Sequence, residues 1–388
     1  MFDIEKDMEL LQQQGRLRKL RPVASAPGPT VLVEGRERIM FASNDYLGFA
    51  SHPRLKQAAA GAAQRWGAGA GAARLISGTM PLHEELEHAL ARFKQTEAAL
   101  LYSTGYMANL GILASLAGPE DVILSDELNH ASIIDGCRLS RARIMVYPHG
   151  DPEALEKLLS TTPGRRRIVV TDGVFSMDGD IAPVPELLAL VRRFDAALMI
   201  DDAHGTGTLG TYGKGALEHF NIPTCPEILL MGTLGKALGC FGAFFAGTVQ
   251  LREFFINRAR TFIFTTAVPP PVVAAALEAL CLLGEEPDRV RRLQQNAAYM
   301  RAGLQRIGLN IGTSATHIIP VMVGSSQTAL AWAQYLFDRG LFITAIRPPA
   351  VPEGTARLRL TVLATHTQAH LDTALALFQE SAQKFYGV

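Results

Sequence analysis

Short apolar segments alternate with amphipathic segments along most of the chain, and this alternation predicts a parallel β-sheet. Seven segments have the length and composition of strands: AALLYS, DVILSD, RIMVYP, RIVVTDG, ALMIDDAH, EILLMGT and GAFFAG. Helical patterns such as PEALEKLLS and VPELLALVRRF separate them. Because strands that alternate with helices form βα units, we predict an α/β fold, with a mostly parallel central sheet and helices on both of its faces.

The segment from Thr79 to Phe93 predicts a helix with clear signals. Leu82, Leu86 and Leu90 recur at helical spacing, and Phe93 continues the series. Thr79 stands just ahead of Pro81, which favours Thr79 as the N-cap of this helix.

The two ends of the chain have a different sequence pattern from its middle. An amphipathic helix, the Pro/Gly-rich segment RPVASAPGPT and the short strand VLVEG predict an N-terminal arm over residues 1–43. After about Leu283, charged amphipathic helices alternate with IIPVMVG and LFITAIRPP, and Gly340 ends a helix. We therefore predict a large domain over residues 44–283 and a smaller α+β domain over 284–388.

Composition narrows the function classes. The 388 residues carry 37 Lys+Arg and 37 Asp+Glu, a formal net charge of zero, so we expect no nucleic-acid partner. With 48% hydrophobic and 19% charged residues, the chain is typical of a globular protein with a large core. Its four cysteines are far apart, which predicts no metal site and no disulfide framework. The start MFDIEKDMELLQQQ lacks the pattern of a signal peptide, and we expect a cytoplasmic protein.

One stretch, residues 228–249, is nearly as apolar as a membrane span. Lys236 lies near its middle and five glycines interrupt it. This pattern predicts a strand, a tight turn and a second strand, with no membrane contact and one buried amine. Because burial disfavours the charged form of an amine, Lys236 is a candidate nucleophile.

Polar side chains follow the ends of the predicted strands, where parallel α/β sheets bind ligands. They are Thr104, Gly105 and Tyr106; Asn129 and His130; Ser176; Asp201 and His204; Thr233 and Lys236. Pyridoxal 5'-phosphate needs such a set: a lysine for the Schiff base, an acid beside the pyridine nitrogen, a flat group over the ring, and amides with hydroxyls for the phosphate. We assign the acid to Asp201 and a structural role to Asp202. Taken alone, His130 fits a structural role at the start of a helix as well as it fits a role at the cofactor. The segment GTGTLG lacks the following helix and acidic residue of a dinucleotide site.

An ordered series of motifs resembles the α-oxoamine synthase family, which comprises fold-type I pyridoxal-phosphate transferases. The motifs are SNDYLGFASHP, LISGT, STGYMAN, NHASIIDG, TDGVFSMDGD, IDDAHGTGTLG, GTLGKALG, FIFTTAVPP and RLRLT. The resemblance covers nearly the whole chain. It implies condensation of an amino acid with an acyl thioester, in a homodimer with active sites at the subunit interface.

The resemblance also implies roles for individual residues. Lys236 would bind the cofactor covalently, Asp201 would face the pyridine nitrogen, His204 the ring hydroxyl, and His130 would stack on the ring. The remaining expected cofactor contacts are Gly105, Tyr106, Ser176 and Thr233, with Thr265 or Thr266 reaching the phosphate of the neighbouring subunit. The expected substrate contacts are Asn44 and Arg359 for the amino-acid carboxylate, Arg18 near the acyl-thioester entrance, and Ala350 beside the acyl group. His130 is expected to contact the substrate as well as the ring.

The resemblance of the C-terminal segment TAIRPPAVPEGTARLRLT to particular family members indicates the expected substrates. It resembles the members that join L-alanine to a pimeloyl thioester more than the glycine-using members. Two departures bear on this expectation, because Ala350 and Ala73 stand where hydroxyl residues are common. The alternatives are a glycine-using synthase, a non-catalytic subunit of a heteromeric synthase and, more remotely, a dinucleotide-dependent dehydrogenase.

Overall fold

The computed structural model describes residues 2, 4–14 and 16–387. The strands are β1 Thr30–Val33, β2 Arg36–Met40, β3 Ala98–Tyr102, β4 Val122–Asp126, β5 Arg143–Tyr147, β6 Arg167–Asp172, β7 Ala197–Asp201, β8 Ile228–Thr233, β9 Ala243–Gly247, β10 Ile318–Gly324, β11 Leu341–Phe342, β12 Thr344–Ile346 and β13 Ala356–Thr361. The helices are α1 Ile4–Gln13, α2 Pro53–Trp66, α3 Pro81–Lys94, α4 Gly105–Leu116, α5 Ala131–Ser140, α6 Pro152–Thr161, α7 Val184–Arg193, α8 Ala216–His219, α9 Val249–Arg258, α10 Arg260–Ile263, α11 Pro270–Glu285, α12 Asp288–Arg306, α13 Ser326–Asp338 and α14 Gln368–Phe385, with a π-helical turn at Arg74–Gly78.

These elements fall into two compact units. The larger unit holds residues 45–176 and 181–291. The smaller unit holds the described residues up to Asn44, the short segment 177–180 and the chain from Arg292 onwards. The predicted arm therefore groups with the C-terminal part of the chain.

A seven-stranded sheet forms the centre of the larger unit, in the order β3-β9-β8-β7-β6-β4-β5. All neighbouring pairs are parallel except those of β9, which is antiparallel to both β3 and β8. The predicted mostly parallel sheet is thus confirmed, and all seven predicted strands are present. Both faces of β3, β4, β8 and β9 are buried, which explains why these strands are continuous apolar runs in the sequence.

The stretch that resembles a membrane span forms the predicted strand, turn and strand. It contains β8, a turn over residues 234–242 and β9. Over the described part of the chain, no helix combines the length and hydropathy of a membrane span.

The smaller unit contains two three-stranded sheets. One has the order β1-β2-β11 and the other, fully antiparallel, has the order β10-β13-β12. Its core packs Trp332 of α13 and Phe378 of α14 over strand residues such as Leu358 and Leu360, all of which are fully buried. Helix α1 was predicted correctly, but none of its residues is buried.

The predicted N-cap of α3 was wrong. The helix begins at Pro81 with Met80 in the N-cap position, and the Nδ1 of His83 accepts the Met80 amide N–H at 3.0 Å. Thr79 instead donates its hydroxyl to the Arg74 carbonyl, at 2.7 Å. Met80 therefore stands in the position expected for Thr79, and the ring of His83 satisfies the backbone amide of Met80.

Candidate active site

Four neighbouring strands of the larger unit place the predicted catalytic side chains at one edge of the sheet. Strands β8, β7, β6 and β4 are adjacent and parallel, so their carboxyl ends lie together. Lys236 follows β8, Asp201 ends β7, and His130 follows β4. On β6, which lies between β7 and β4, Asp172 occupies the position directly opposite Asp201.

Lys236 and His204 are in direct contact. The Nζ of Lys236 lies 2.9 Å from the Nε2 of His204, and the Nδ1 of the same ring lies 2.7 Å from the hydroxyl of Tyr46. Tyr46 is fully buried and His204 is 7% exposed. A hydrogen-bonded row therefore runs from Tyr46 through His204 to the amine.

The turn that carries Lys236 is closed by its own hydrogen bonds. The amide of Leu234 donates to the carbonyl of Gly242 at 2.9 Å, and the amide of Cys240 donates back to Leu234 at 2.8 Å. The hydroxyl of Thr233 donates to Gly242 and accepts from the amide of Gly235, at 3.0 and 3.1 Å. The backbone of Lys236 is thus fixed between the two strands, and the expected cofactor contact Thr233 is a member of the turn.

Asp201 is buried and held on both carboxylate oxygens. Its Oδ1 accepts the amide of Ala203 at 3.0 Å, and its Oδ2 accepts the side-chain amide of Asn109 at 2.7 Å. The same Asn109 amide donates to the hydroxyl of Ser132 at 2.9 Å. Asn109 lies on α4 and Ser132 on α5, so both helices help to aim this carboxylate.

His130 is the N-cap of α5 and is tied to Asp172. The backbone amide of His130 donates to the Oδ2 of Asp172 at 2.9 Å, and its ring Nδ1 lies 2.7 Å from the hydroxyl of Ser132. Burial lowers the pKa of His130, with the nearby Asp201 charge acting in the opposite direction. Burial, and secondly the charge of Asp201, raise the pKa of Asp172 well above its ordinary value.

Asp202, directly after Asp201, has a different environment. Its Oδ2 lies 2.6 Å from the Nζ of Lys94, and both side chains are 1% exposed. Its Oδ1 accepts the amide of Ala216 at 3.1 Å. Side chains alternate in direction along β7 and directly after it. Asp201 therefore points to the sheet edge, and Asp202 forms a buried ion pair.

The predicted phosphate contacts start at the N-terminus of α4. The hydroxyl of Thr104 accepts the amide of Met107 at 3.1 Å and caps the helix, which leaves Gly105 and Tyr106 as the first helical residues. The first amides of a helix have no partner within it and attract anions. The ring of Tyr106 is partly exposed, and its hydroxyl bonds Asp135. Ser176 lies four residues after β6 and is partly buried.

Thr265 and Thr266 lie elsewhere in the larger unit. With Arg74 and Ser103 they line a small cavity, and the hydroxyl of Ser103 donates to the carbonyl of Thr266 at 3.4 Å. Thr266 is exposed and Thr265 is partly buried. Their expected partner, a phosphate held by a second subunit, lies outside a single chain.

Four of the five expected substrate contacts belong to the smaller unit, and the fifth, His130, lies in the larger unit. Asn44 is exposed, and Arg359 is partly buried on β13, opposite Pro320 and Thr344. Arg18 and Ala350 line a groove of about 610 Å³ formed by the arm, β12 and α13. Arg347 lies in the same groove and donates to the carbonyl of Leu17 at 3.0 Å; burial, and then the charge of Arg18, lower its pKa.

Several functional candidates were missed by the sequence reasoning. Tyr46, Asn109, Ser132 and Asp172 contact predicted site residues. All four lie inside the quoted motifs SNDYLGFASHP, STGYMAN, NHASIIDG and TDGVFSMDGD, so their place in a motif was the available signal. Lys94 contacts Asp202, whose predicted role was structural.

The side chains at this sheet edge fit pyridoxal phosphate. The observation is the donor set itself: an amine, a buried carboxylate held on both oxygens and two imidazoles at the ends of the neighbouring strands β8 to β4. The N-terminus of α4 follows β3, which β9 separates from β8. Among the described residues, no cluster of His, Cys, Asp and Glu has the arrangement of a metal site.

Comparisons with known proteins agree with one another. The family described as aminotransferase class I and II matches residues 36–378. The 8-amino-7-oxononanoate synthases of Geobacter sulfurreducens and Geobacter metallireducens are 51% and 49% identical to the chain, over 96% of this chain and of each relative. A solved structure of serine palmitoyltransferase from S. paucimobilis, with a bound PLP-myriocin aldimine, matches with a TM-score of 0.93 and 32% identity, over 99% of this chain and 98% of that one. The 8-amino-7-oxononanoate synthase of Francisella tularensis matches with a TM-score of 0.78 and 30% identity, over 90% of this chain and 99% of its own.

Proposed function

The chain belongs to the aminotransferase class I and II family and has the fold of the fold-type I pyridoxal-phosphate transferases; from this premise we propose the reaction that it catalyses. It condenses L-alanine with a pimeloyl thioester, carried by coenzyme A or a carrier protein. Carbon dioxide and the free thiol leave, and the product is 8-amino-7-oxononanoate, an intermediate of biotin biosynthesis. The cofactor is pyridoxal 5'-phosphate.

The observation that carries this proposal is identity over almost the full length of synthases of one name. Four such relatives are 46–51% identical over at least 96% of this chain. The strand-end set of Lys236, His204, Asp201 and His130 supports it, because these side chains supply what the cofactor requires.

Each of these residues has a distinct task. Bound pyridoxal phosphate supplies an electron sink for a carbanion at the substrate Cα. Lys236 would hold the cofactor covalently, and Asp201, fixed by Asn109 and the Ala203 amide, would keep the pyridine nitrogen protonated. His204 would donate to the ring hydroxyl, and His130 would cover one face of the ring.

The proton transfers belong to Lys236. Its neutral amine would remove the Cα proton and later return a proton to the product. Its backbone is fixed in the turn between β8 and β9, so the Nζ atom moves only on its own side chain. His204, 2.9 Å away, orients the amine.

Cofactor phosphate and substrate carboxylate would be bound by separate groups. The amides of Gly105 and Tyr106, with the hydroxyl of Ser176, would receive the phosphate, and Thr233 would lie beside the cofactor. In the smaller unit, Arg359 and Asn44 would receive the carboxylate of L-alanine, since a guanidinium binds carboxylate through two hydrogen bonds. Arg18 and Ala350 would line the path of the acyl chain in the groove beside the arm.

A homodimer is part of the proposal. The larger unit exposes Ile76 and Phe264 by 81% and 70%, and such apolar surface is typical of a protein interface. Phe264 directly precedes Thr265 and Thr266, so a second copy bound there would bring these hydroxyls to its own interface. We place the enzyme in the cytoplasm.

The direct test is turnover. The purified protein, with L-alanine and pimeloyl thioester on either carrier, is expected to release carbon dioxide and the oxo-amine, identified by mass spectrometry. Glycine and L-serine are supplied in parallel competitions. Turnover with glycine and none with L-alanine would reject the proposal in favour of a glycine-using synthase.

A second test separates a catalytic chain from an inert one. Borohydride reduction of the loaded protein, followed by peptide mapping, is expected to place the label on Lys236. Lys236→Ala serves as the control and should carry no label. An unlabelled wild-type chain would favour the non-catalytic subunit.

A further inference from the structure

Tyr46 lies behind the catalytic pair and has no role in the reaction described above. Its ring is fully buried, and its hydroxyl lies 2.7 Å from the Nδ1 of His204. On the other side of that imidazole, Nε2 lies 2.9 Å from the Nζ of Lys236. The imidazole is thus clamped between an amine and a phenol.

Hydrogen-bond chemistry limits where the imidazole proton can be. A protonated lysine has three donors and no acceptor, so its contact with His204 requires a bare Nε2. The proton of the neutral imidazole must then be on Nδ1, and it points at Tyr46. A phenol oxygen can accept such a hydrogen bond, whereas a phenylalanine ring edge cannot.

We propose that Tyr46 is a positioning residue that holds His204 in the Nδ1–H tautomer, so that Nε2 can accept a hydrogen bond from the charged Lys236. Tyr46 therefore stabilises the protonated amine through the imidazole. The inference rests on the proposed function only in that Lys236 is the amine that binds the cofactor.

The charged groups around this row belong to several elements. Asp201 ends β7, Asp172 ends β6, and His130 follows β4; Lys236 acts electrostatically on both Asp172 and His130. Asp45, next to Tyr46, accepts the amides of Phe49 and Ala50 with its Oδ1. Replacing Tyr46 with phenylalanine leaves all of these charges in place and removes one hydroxyl.

The test uses the full chain freed of cofactor. Its rate of recombination with pyridoxal phosphate is measured by absorbance across a pH series, because only the neutral amine reacts. In Tyr46→Phe, Nδ1–H loses its phenol acceptor, the charged amine is less stabilised, and the pH midpoint of recombination should fall by about one unit. The ionisations of the free cofactor are the same in both experiments. A difference in pH midpoint between wild type and variant therefore comes from the protein.

Tyr102→Phe is the matched control. Tyr102 is also buried, and its hydroxyl has no hydrogen-bond partner among the described residues. This variant should keep the wild-type midpoint. An unchanged midpoint in Tyr46→Phe would overturn the proposal, as would an equal shift in both variants.

A measurement on the unmodified chain covers the case in which Tyr46→Phe does not fold. Neutron diffraction from crystals of the cofactor-free protein at neutral pH should place the imidazole hydrogen on Nδ1 of His204. Hydrogen on Nε2 beside a charged Lys236 would refute the proposal. If the wild-type chain takes up no cofactor, the proposed function fails, and the neutron result still decides the tautomer.

Discussion

Replacing Lys94 with methionine should strongly destabilise the larger unit. The Nζ of Lys94 donates to Asp202 at 2.6 Å and to the carbonyl of Lys214 at 2.7 Å, and both charged side chains are 1% exposed. Methionine fills a similar volume but removes the positive charge. Breaking a buried ion pair by removing one partner costs about 3–5 kcal/mol, because the other charge stays buried without compensation.

The loss of unfolding free energy in Lys94→Met should depend on pH. Burial raises the pKa of Asp202, and the variant loses the Lys94 charge that opposes this shift. A carboxyl with a raised pKa in the folded state stabilises the fold below its unfolded pKa and loses that contribution as the pH rises. The difference between variant and wild type should therefore be largest at neutral pH and shrink toward pH of about 4.

Urea unfolding of the cofactor-free chain, followed by circular dichroism at several pH values, measures both effects. Arg193→Met is the matched control, because Arg193 pairs with Glu156 at the surface, where the side chains are 64% and 41% exposed. This control should lose less than about 1 kcal/mol. A Lys94→Met loss as small as that of the control, or one that does not vary with pH, would refute the reasoning.

Three further predictions concern other buried groups. Asp201→Asn should lower kcat by about 100-fold or more, because the charge proposed to face the pyridine nitrogen is lost while the shape remains; steady-state kinetics with L-alanine checks this, and near wild-type kcat would contradict it. Asp172→Asn should gain stability relative to wild type as the pH rises from about 4 to 7, because burial raises the pKa of Asp172 and the charged form is penalised; urea midpoints that differ equally at all pH values would speak against this. Burial lowers the pKa of His366 to about 3, so the wild type should lose stability as the pH falls below about 6.5, and His366→Asn should lose less; parallel pH profiles would be the contrary result.

The sequence was sufficient to predict the sheet and the edge at which the candidate catalytic side chains lie together. Strand segments such as DVILSD and EILLMGT are unbroken apolar runs because both faces of these strands are buried, and this leaves a strong local signal. The polar residues that follow them lie at one edge for a geometric reason, because the strands run parallel. Lys236 was recognisable as a single charge in an apolar run.

The supporting contacts could not be predicted in the same way. The bond from Lys94 to Asp202 joins residues 108 positions apart, and that from Tyr46 to His204 joins residues 158 apart. Neither pair has a local pattern, because the contacts exist only after the helices have packed on the sheet. The N-cap of α3 shows the same limit at short range, since Met80 takes the position predicted for Thr79 and the ring of His83 bonds the Met80 amide.

The closed turn around Lys236 has a consequence for how the enzyme can be altered. Gly239 has φ of +65°, and a Cβ atom there would lie 2.3 Å from the Ala50 amide nitrogen, so even alanine would displace the loop. Because the backbone of the turn is fixed, the Nζ of Lys236 can move only within the reach of its own side chain. Substitutions meant to admit bulkier amino-acid substrates should therefore avoid the segment from Leu234 to Gly242, since a change there would misplace the amine.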